Sequence, residues 1–298
     1  MNCLEVTREK KGGIAMVKVT AELIKHWLPK RRENAHKGEF GRIYVLAGSV
    51  GFTGAPYFAT EAAVRTGSGL VFLGVPPEIW QVLAVKCNEA MPSPLPSRPD
   101  AWLQQKMNDC DAVLIGCGLG RAPETDARTL SLVKTVRTPL VLDADGINAV
   151  AEHINVLKTR RDRLTVLTPH EGEFARLRAG RALGGEDRDY AAVRFARDYG
   201  VVLVLKGHRT LTAFPDGTLF ENTTGNPGMA KGGSGDILSG MIVSLLGQGL
   251  PAKHAVPLAV WLHGYAGDLC KNETGEYGMT PSDLLKKIPY AMKWMLEY

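Results

Sequence analysis

Short unbroken apolar runs alternate along this chain with longer stretches in which apolar residues recur every three or four positions. The first pattern, rich in β-branched residues, is that of strands covered on both faces, and the second is that of helices lying on a sheet. The runs predict strands over 42–47, 70–75, 112–115, 140–143, 164–168 and 201–206, and the periodic stretches predict helices over 54–65, 123–136, 171–178 and 187–199. Strand, helix, strand in succession is the mark of βαβ units and a largely parallel sheet, so the expected fold class is α/β with helices on both faces. The pattern changes after 206. Runs at 210–214 and 219–221 flank the turn Pro215, Asp216, Gly217 and predict an antiparallel hairpin, followed by helices over 235–246, 255–270 and 282–296. The segment 92–99, PSPLPSRP, reads as a proline-rich surface loop, and residues 1–16 read as a loosely ordered arm before a single domain over 17–298.

Composition narrows the classes. With 45% hydrophobic and 22% charged residues among 298, the chain carries ordinary globular material. The net charge of +5 invites a search for a nucleic-acid surface, but Lys30, Arg31, Arg32 and the later Arg160, Arg161, Arg163 sit in no nucleic-acid-binding module. A mild basic excess also suits an enzyme with polyanionic small-molecule substrates. Five cysteines, Cys3, Cys87, Cys110, Cys117 and Cys270, form no CxxC pair and no metal-ligand spacing with histidine, which points to a reducing, cytoplasmic compartment. No apolar run approaches the roughly 20 residues of a membrane span, so no membrane partner is expected.

The chemistry concentrates in 226–236, NPGMAKGGSGD, which runs straight into the apolar helix expected from 235. Gly232, Gly233 and Gly235, with Ser234 between them, let backbone N–H groups converge on an anion at a helix start, where the helix dipole adds partial positive charge. The plain alternative is a tight turn with Asp236 as an ordinary first-turn acid. No GxxxxGK[ST] occurs, so this is not a P-loop. A carboxylate beside an anion hole can also take the proton of a hydroxyl as that oxygen attacks a phosphoryl group, which would make Asp236 a general base. Elsewhere the signals are weaker. Gly116, Cys117, Gly118, Leu119, Gly120 follow a strand, but Arg121 breaks the dinucleotide fingerprint. Asp143 and Asp145 at a strand end suit either a water-mediated Mg2+ or substrate contact, or else Asp145 and Asn148 simply cap a helix beginning near Gly146. His263, among Trp261, Leu262 and Tyr265, reads as a packed polar residue rather than a ligand.

At this point the chain resembles a known family. The 226–236 segment, with KGEFGRIYVLAGSVGFTGA at 37–55, LIGCGLG at 114–120, VLDADGIN at 141–148, LTPHEGEF at 167–174 and VLKGHRT at 204–210, is similar to the ADP- or ATP-dependent NAD(P)H-hydrate dehydratases, in order over about 38–285. The resemblance implies a ribokinase-like fold and a metabolite-repair lyase that returns the S epimer of hydrated NADH or NADPH to the reduced cofactor, with ADP favoured over ATP as phosphate donor and Mg2+ as cofactor. It implies that Ala55, Gly118 and His170 contact the hydrated dinucleotide, that Lys206, Gly207, His208, Arg209, Thr210 and Gly235 contact the adenine nucleotide, and that Asp236 touches the reacting hydroxyl. It also implies a homo-oligomer, with a tetramer among the options. Some members carry an N-terminal epimerase domain, for which this chain is too short. Cys117 stands where the family commonly has proline, and Lys231 and Ser234 where it has threonine. The competing readings are a small-molecule kinase of the same fold, acting on a hydroxymethylpyrimidine, thiazole or sugar alcohol, and a nucleotide-sensing protein without turnover; an intact Asp236 argues against the second.

Overall fold

The computed structural model describes residues 8–11, 14–179 and 187–298. All described strands join one eleven-stranded sheet. In chain order they are β1 Arg8–Lys11, β2 Ile14–Val19, β3 Arg42–Leu46, β4 Leu70–Val75, β5 Met91–Pro94, β6 Ala112–Ile115, β7 Leu140–Leu142, β8 Thr165–Leu167, β9 Val202–Leu205, β10 Leu211–Ala213 and β11 Leu219–Asn222. Their order across the sheet is β1-β2-β11-β10-β9-β8-β7-β6-β3-β4-β5. From β9 to β5 every pairing is parallel, while β10 is antiparallel to both β9 and β11. The helices are α1 Ala21–Ile24, α2 Gly54–Arg65, α3 Pro77–Lys86, α4 Asp100–Asn108, α5 Pro123–Thr135, α6 Asp145–Ala151, α7 Glu171–Leu177, α8 Arg188–Tyr199, α9 Ser234–Gly247, α10 Ala252–Gly278 and α11 Pro281–Glu297.

The unalternating strands are explained by two cores, one on each face. Ala112 and Leu114 of β6 point into a cluster with Ile237, Met241 and Leu245 of α9 and the buried residues of α2, α10 and α11. Val113 and Ile115 of the same strand point into the other, with α4, α5, α6, α7 and α8. Successive strand residues face opposite sides, so a strand covered on both must be apolar at every position.

Two stretches differ from the sequence expectation. The 1–16 arm contains, among its described residues, β1 and the first half of β2, and β2 pairs parallel to β11. Its partner lies some two hundred residues away, so no local pattern announces it. The proline-rich loop at 92–99 begins as the edge strand β5, where Pro92 and Pro94 are tolerated because only one side of the strand pairs. Helices α1, α3 and α4, short or weakly periodic, were not among the expected elements.

Candidate functional site

The carboxyl ends of β6, β7, β8 and β9 meet the N-terminus of α9, the crevice where open α/β sheets bind ligands. Gly233 opens α9 at φ +107°, a conformation that disfavours any side chain, and a Cβ there would meet the Phe58 ring at 2.9 Å. This turn places the first amides of α9 and the Asp236 carboxylate together. Lys231 ties the turn down by donating through Nζ to the Tyr277 carbonyl at 2.8 Å and the Met279 carbonyl at 2.5 Å. His263, expected to be packed, is buried, and its Nε2 lies 2.9 Å from the Ser234 carbonyl. Burial pushes its pKa down to about 4, so at neutral pH the ring is neutral and donates to that carbonyl.

Beneath Asp236 lies a buried charged network. Asp143, 1% exposed, accepts from the Lys206 Nζ at 2.9 Å and from the Thr168 Oγ1 at 2.7 Å. Thr168 in turn lies 3.3 Å from the Ser239 hydroxyl of α9, which locks the strand end to the helix. The Cys117 Sγ sits 3.7 Å from the Asp143 Oδ2, and donor atoms of Cys117, Asp143 and Asp236 all fall within 4.8 Å of one another. Burial, then the negative charge of Asp143, raise the Asp236 pKa to about 7, against the opposing pull of Cys117 and Lys206. Burial alone would lower the Lys206 pKa, but Asp143 and Glu173 reverse that and leave it above the ordinary lysine value. Burial also pushes the Cys117 thiol well up, so it is protonated.

That donor set bears on metal binding. The thiol is a poor donor for Mg2+, and Asp143 already satisfies a lysine and a threonine. The cluster is therefore no all-protein cage, and it suits a Mg2+ ion that keeps several waters and the oxygens of a polyphosphate.

The residues singled out in the sequence fall into three groups. Asp236, Gly235 and Lys206 converge: a Cβ on Gly235 would stand 3.2 Å from the Lys206 Nζ. Ala55 and Gly118 meet at the next strand end, where a Cβ on Gly118 would lie 3.0 Å from the Cβ atoms of Ala55 and Phe52. His170 caps α7, its Nδ1 accepting from the Gly172 and Glu173 amides at 3.0 and 3.3 Å, while its Nε2 faces Glu173 at 3.5 Å and Glu173 faces Lys206 at 3.9 Å. Gly207, His208, Arg209 and Thr210 instead form an outer loop. Arg188 holds it from behind, donating to the carbonyls of Leu205, Lys206, His208 and Arg209 at 2.9 to 3.4 Å. Asp145 heads α6 without capping it, contrary to the capping expected of it: its Oδ2 accepts from the Gly120 amide at 2.9 Å and its Oδ1 from the Asn148 Nδ2 at 3.3 Å. Thr168 and Glu173 lie within the 167–174 motif but were given no role at the site, and Arg188 carried no local signal, because only the alignment of strand ends brings them together.

A parallel sheet whose carboxyl edge meets a glycine-opened helix and a buried carboxylate defines a ribokinase-like α/β protein. A solved ribokinase-like superfamily protein of Enterococcus faecalis V583 superposes with a TM-score of 0.83 at 27% identity, covering 95% of this chain and 97% of that one. Residues 43–290 match the NAD(P)H-hydrate dehydratase family, and the chain belongs to it. An ADP-dependent (S)-NAD(P)H-hydrate dehydratase of Neisseria meningitidis is 35% identical over 93% of this chain and 92% of its own. The ADP/ATP-dependent NAD(P)H-hydrate dehydratase of Bacillus subtilis, co-crystallised with ATP/Mg2+, superposes with a TM-score of 0.79 at 30% identity over 93% of this chain and 97% of that one. The bifunctional NAD(P)H-hydrate repair enzyme Nnr of Moorella thermoacetica is 42% identical over 92% of this chain but 53% of its own length. The chain thus spans about half the length of the bifunctional relatives it matches.

Proposed function

We propose that this chain is a nucleotide-dependent NAD(P)H-hydrate dehydratase that returns the S epimer of hydrated NADH and NADPH to the reduced cofactors, using ADP in preference to ATP. The observation that carries the reading is Asp236, a carboxylate with a pKa near 7 at the amide-rich start of α9, in a chain of this family. A general base works best when its pKa lies near the operating pH. Asp236 takes the proton of the hydroxyl on the hydrated ring carbon, and that oxygen attacks the terminal phosphorus of ADP or ATP, releasing AMP or ADP. The amides of Gly232, Gly233 and Gly235 and the Lys206 ammonium offset charge on the transferring phosphoryl group, while the Ser234 amide holds the turn by donating to the Lys231 carbonyl at 3.2 Å. The ring nitrogen lone pair then expels phosphate, and loss of a proton from the neighbouring carbon restores the ring double bond. Mg2+, entering with the nucleotide, supplies further neutralisation of the phosphate oxygens.

Ala55, Gly118 and His170 border the hydrated nicotinamide dinucleotide, and the loop 206–210 borders the adenine nucleotide. Their support is placement: Ala55 and Gly118 meet at the carboxyl ends of β3 and β6 next to Cys117 of the Asp236 cluster, His170 follows β8 and reaches Lys206 through Glu173, and the loop begins at Lys206. Among the described residues no helix is long and apolar enough to cross a membrane, and the free, buried Cys87, Cys110, Cys117 and Cys270 suit a reducing, cytoplasmic compartment. A homo-oligomer, read from family resemblance, is checked by light scattering.

The test is to add the protein to hydrated NADH with Mg2+ and either ADP or ATP and to follow the return of reduced-nicotinamide absorbance. Recovery that needs nucleotide, is faster with ADP and falls at least about a thousandfold in Asp236→Asn is expected. Absence of recovery with either nucleotide would sink the reading, and phosphorylation of an alcohol without elimination would replace it with the kinase.

A further inference from the structure

The proposed site is bordered by two turns, that of Gly118 and that of His170, and one hydrogen-bonded chain joins them. The Gly120 amide donates to the Asp145 Oδ2 at 2.9 Å, the Asn148 Nδ2 donates to the Asp145 Oδ1 at 3.3 Å, and the Arg176 Nε donates to the Asn148 Oδ1 at 2.8 Å. Arg176 lies one turn along α7 from Gly172, and its Nη1 stands 4.0 Å from where a Cβ on Gly172 would sit, beside the His170 turn. The guanidinium is therefore held at Nε and exposed at its far edge, and its two terminal nitrogens make no hydrogen bond or ion pair among the described residues.

Its neighbours are in a different position. Arg121, on the same side of the Gly120 turn, is matched by Asp126 at 3.1 Å and Glu152 at 3.4 Å. Arg188 spends its donors on the 205–209 carbonyls and faces Glu171 at 3.5 Å. Arg176 combines a fixed orientation with an unspent donor fork, and a planar fork with two parallel N–H groups is the geometry that matches a phosphate.

We infer that Arg176, oriented by Asn148 and Asp145, binds a phosphate group of the hydrated dinucleotide and thereby sets affinity for that substrate. The inference rests on the dehydratase reading. The phosphate comes from one of two places in such a ligand, the pyrophosphate common to both cofactors or the 2′-phosphate carried by NADPH alone. Arg176 takes no part in the chemistry at Asp236, so its loss acts on binding and not on turnover.

The experiment compares wild type, Arg176→Gln, Arg176→Lys and Asn148→Ala, varying hydrated NADH or hydrated NADPH at saturating ADP and then ADP at saturating hydrate. In Arg176→Gln the KM for hydrate rises about tenfold or more while kcat and the KM for ADP stay within twofold. Arg176→Lys recovers only part of the loss, since a lysine keeps the charge but not the anchored fork, and Asn148→Ala shows a smaller rise. An effect confined to the NADPH hydrate identifies the 2′-phosphate, and an equal effect on both identifies the pyrophosphate. Hydrate KM values within twofold of wild type for Arg176→Gln, or an equal rise in the KM for ADP, would overturn the assignment. A parallel fluorescence titration with NADPH and NADH themselves reads Arg176 without turnover, so that an inactive wild type counts against the dehydratase reading alone.

Discussion

At the scale of single residues, the site depends on how unequal environments treat similar carboxyls. Asp143 is buried yet paired with Lys206 and Thr168, whereas Asp236 is partly buried, faces Asp143, and is pushed up to about 7. The reactive form of Asp236 is the carboxylate. The rate constant kcat/KM is thus expected to climb about tenfold per pH unit up to a midpoint near 7 and to level above it. A profile flat from pH 5 to 8 would mean that another group takes the proton. The same shift has a stability sign. A carboxyl whose folded pKa is raised binds its proton more tightly in the folded chain, so its contribution is fully present below about 4 and is lost as pH rises through 7. Asp236→Asn should therefore melt higher than wild type at pH 8, by on the order of 2–4 kcal/mol, and the difference should vanish below pH 4. Of this site, the sequence disclosed Asp236 and its glycines, because they are contiguous and their chemistry is local. It hid Arg188, and although Thr168 and Glu173 stand in the 167–174 motif it hid their contacts with Asp143 and Lys206, which exist only once the strands end side by side.

At the scale of elements, the placement of Asp236 rests on how closely α9 lies on α2, the helix that carries Ala55. A Cβ on Gly240 would stand 2.1 Å from the Ala59 backbone oxygen and 3.0 Å from the Ala62 Cβ. Alanine is the better helix former by about 1 kcal/mol, but the clash is with backbone and cannot be relieved by a side-chain rotation. Gly240→Ala is accordingly expected to destabilise by about 1–3 kcal/mol and to lower kcat as the two helices part, measured by thermal melts and turnover. An unchanged melting temperature would show that the contact is slack. The elements themselves were legible where periodicity ran long. The strands β3, β4 and β6 and the helices α2, α5 and α9 fall within one or two residues of their sequence expectations. β2 and β5 were not, since an edge strand with prolines and a strand paired to a distant segment carry no alternation to read.

At the scale of the whole molecule, the proposed chemistry gathers at the carboxyl ends of the strands, while the opposite ends hold a device of another kind. Arg160, part of a basic run that could have suggested a polyanion surface, is fully buried there. Its guanidinium donates to the carbonyls of Val133 at 3.1 Å, Val136 and Thr138 at 3.0 Å, and to the Thr165 Oγ1 at 2.9 Å, joining the end of α5 to the entries of β7 and β8. Burial pulls its pKa down to about 10, which still leaves it charged at neutral pH. Arg160→Met keeps much of the volume but takes the donor from the Val133 and Thr138 carbonyls and leaves Val136 only the long bond from Arg163 at 3.4 Å. Leaving such acceptors poorly paired outweighs the relief of no longer burying a charge, so a loss of about 3 kcal/mol or more and several degrees of melting temperature is expected. Because no residue of the site touches Arg160, kcat and KM measured well below the melting temperature should match wild type. A variant that melts normally would show that water reaches those carbonyls, and one that melts normally but loses activity would mean that the two ends of the sheet are coupled through β7 and β8.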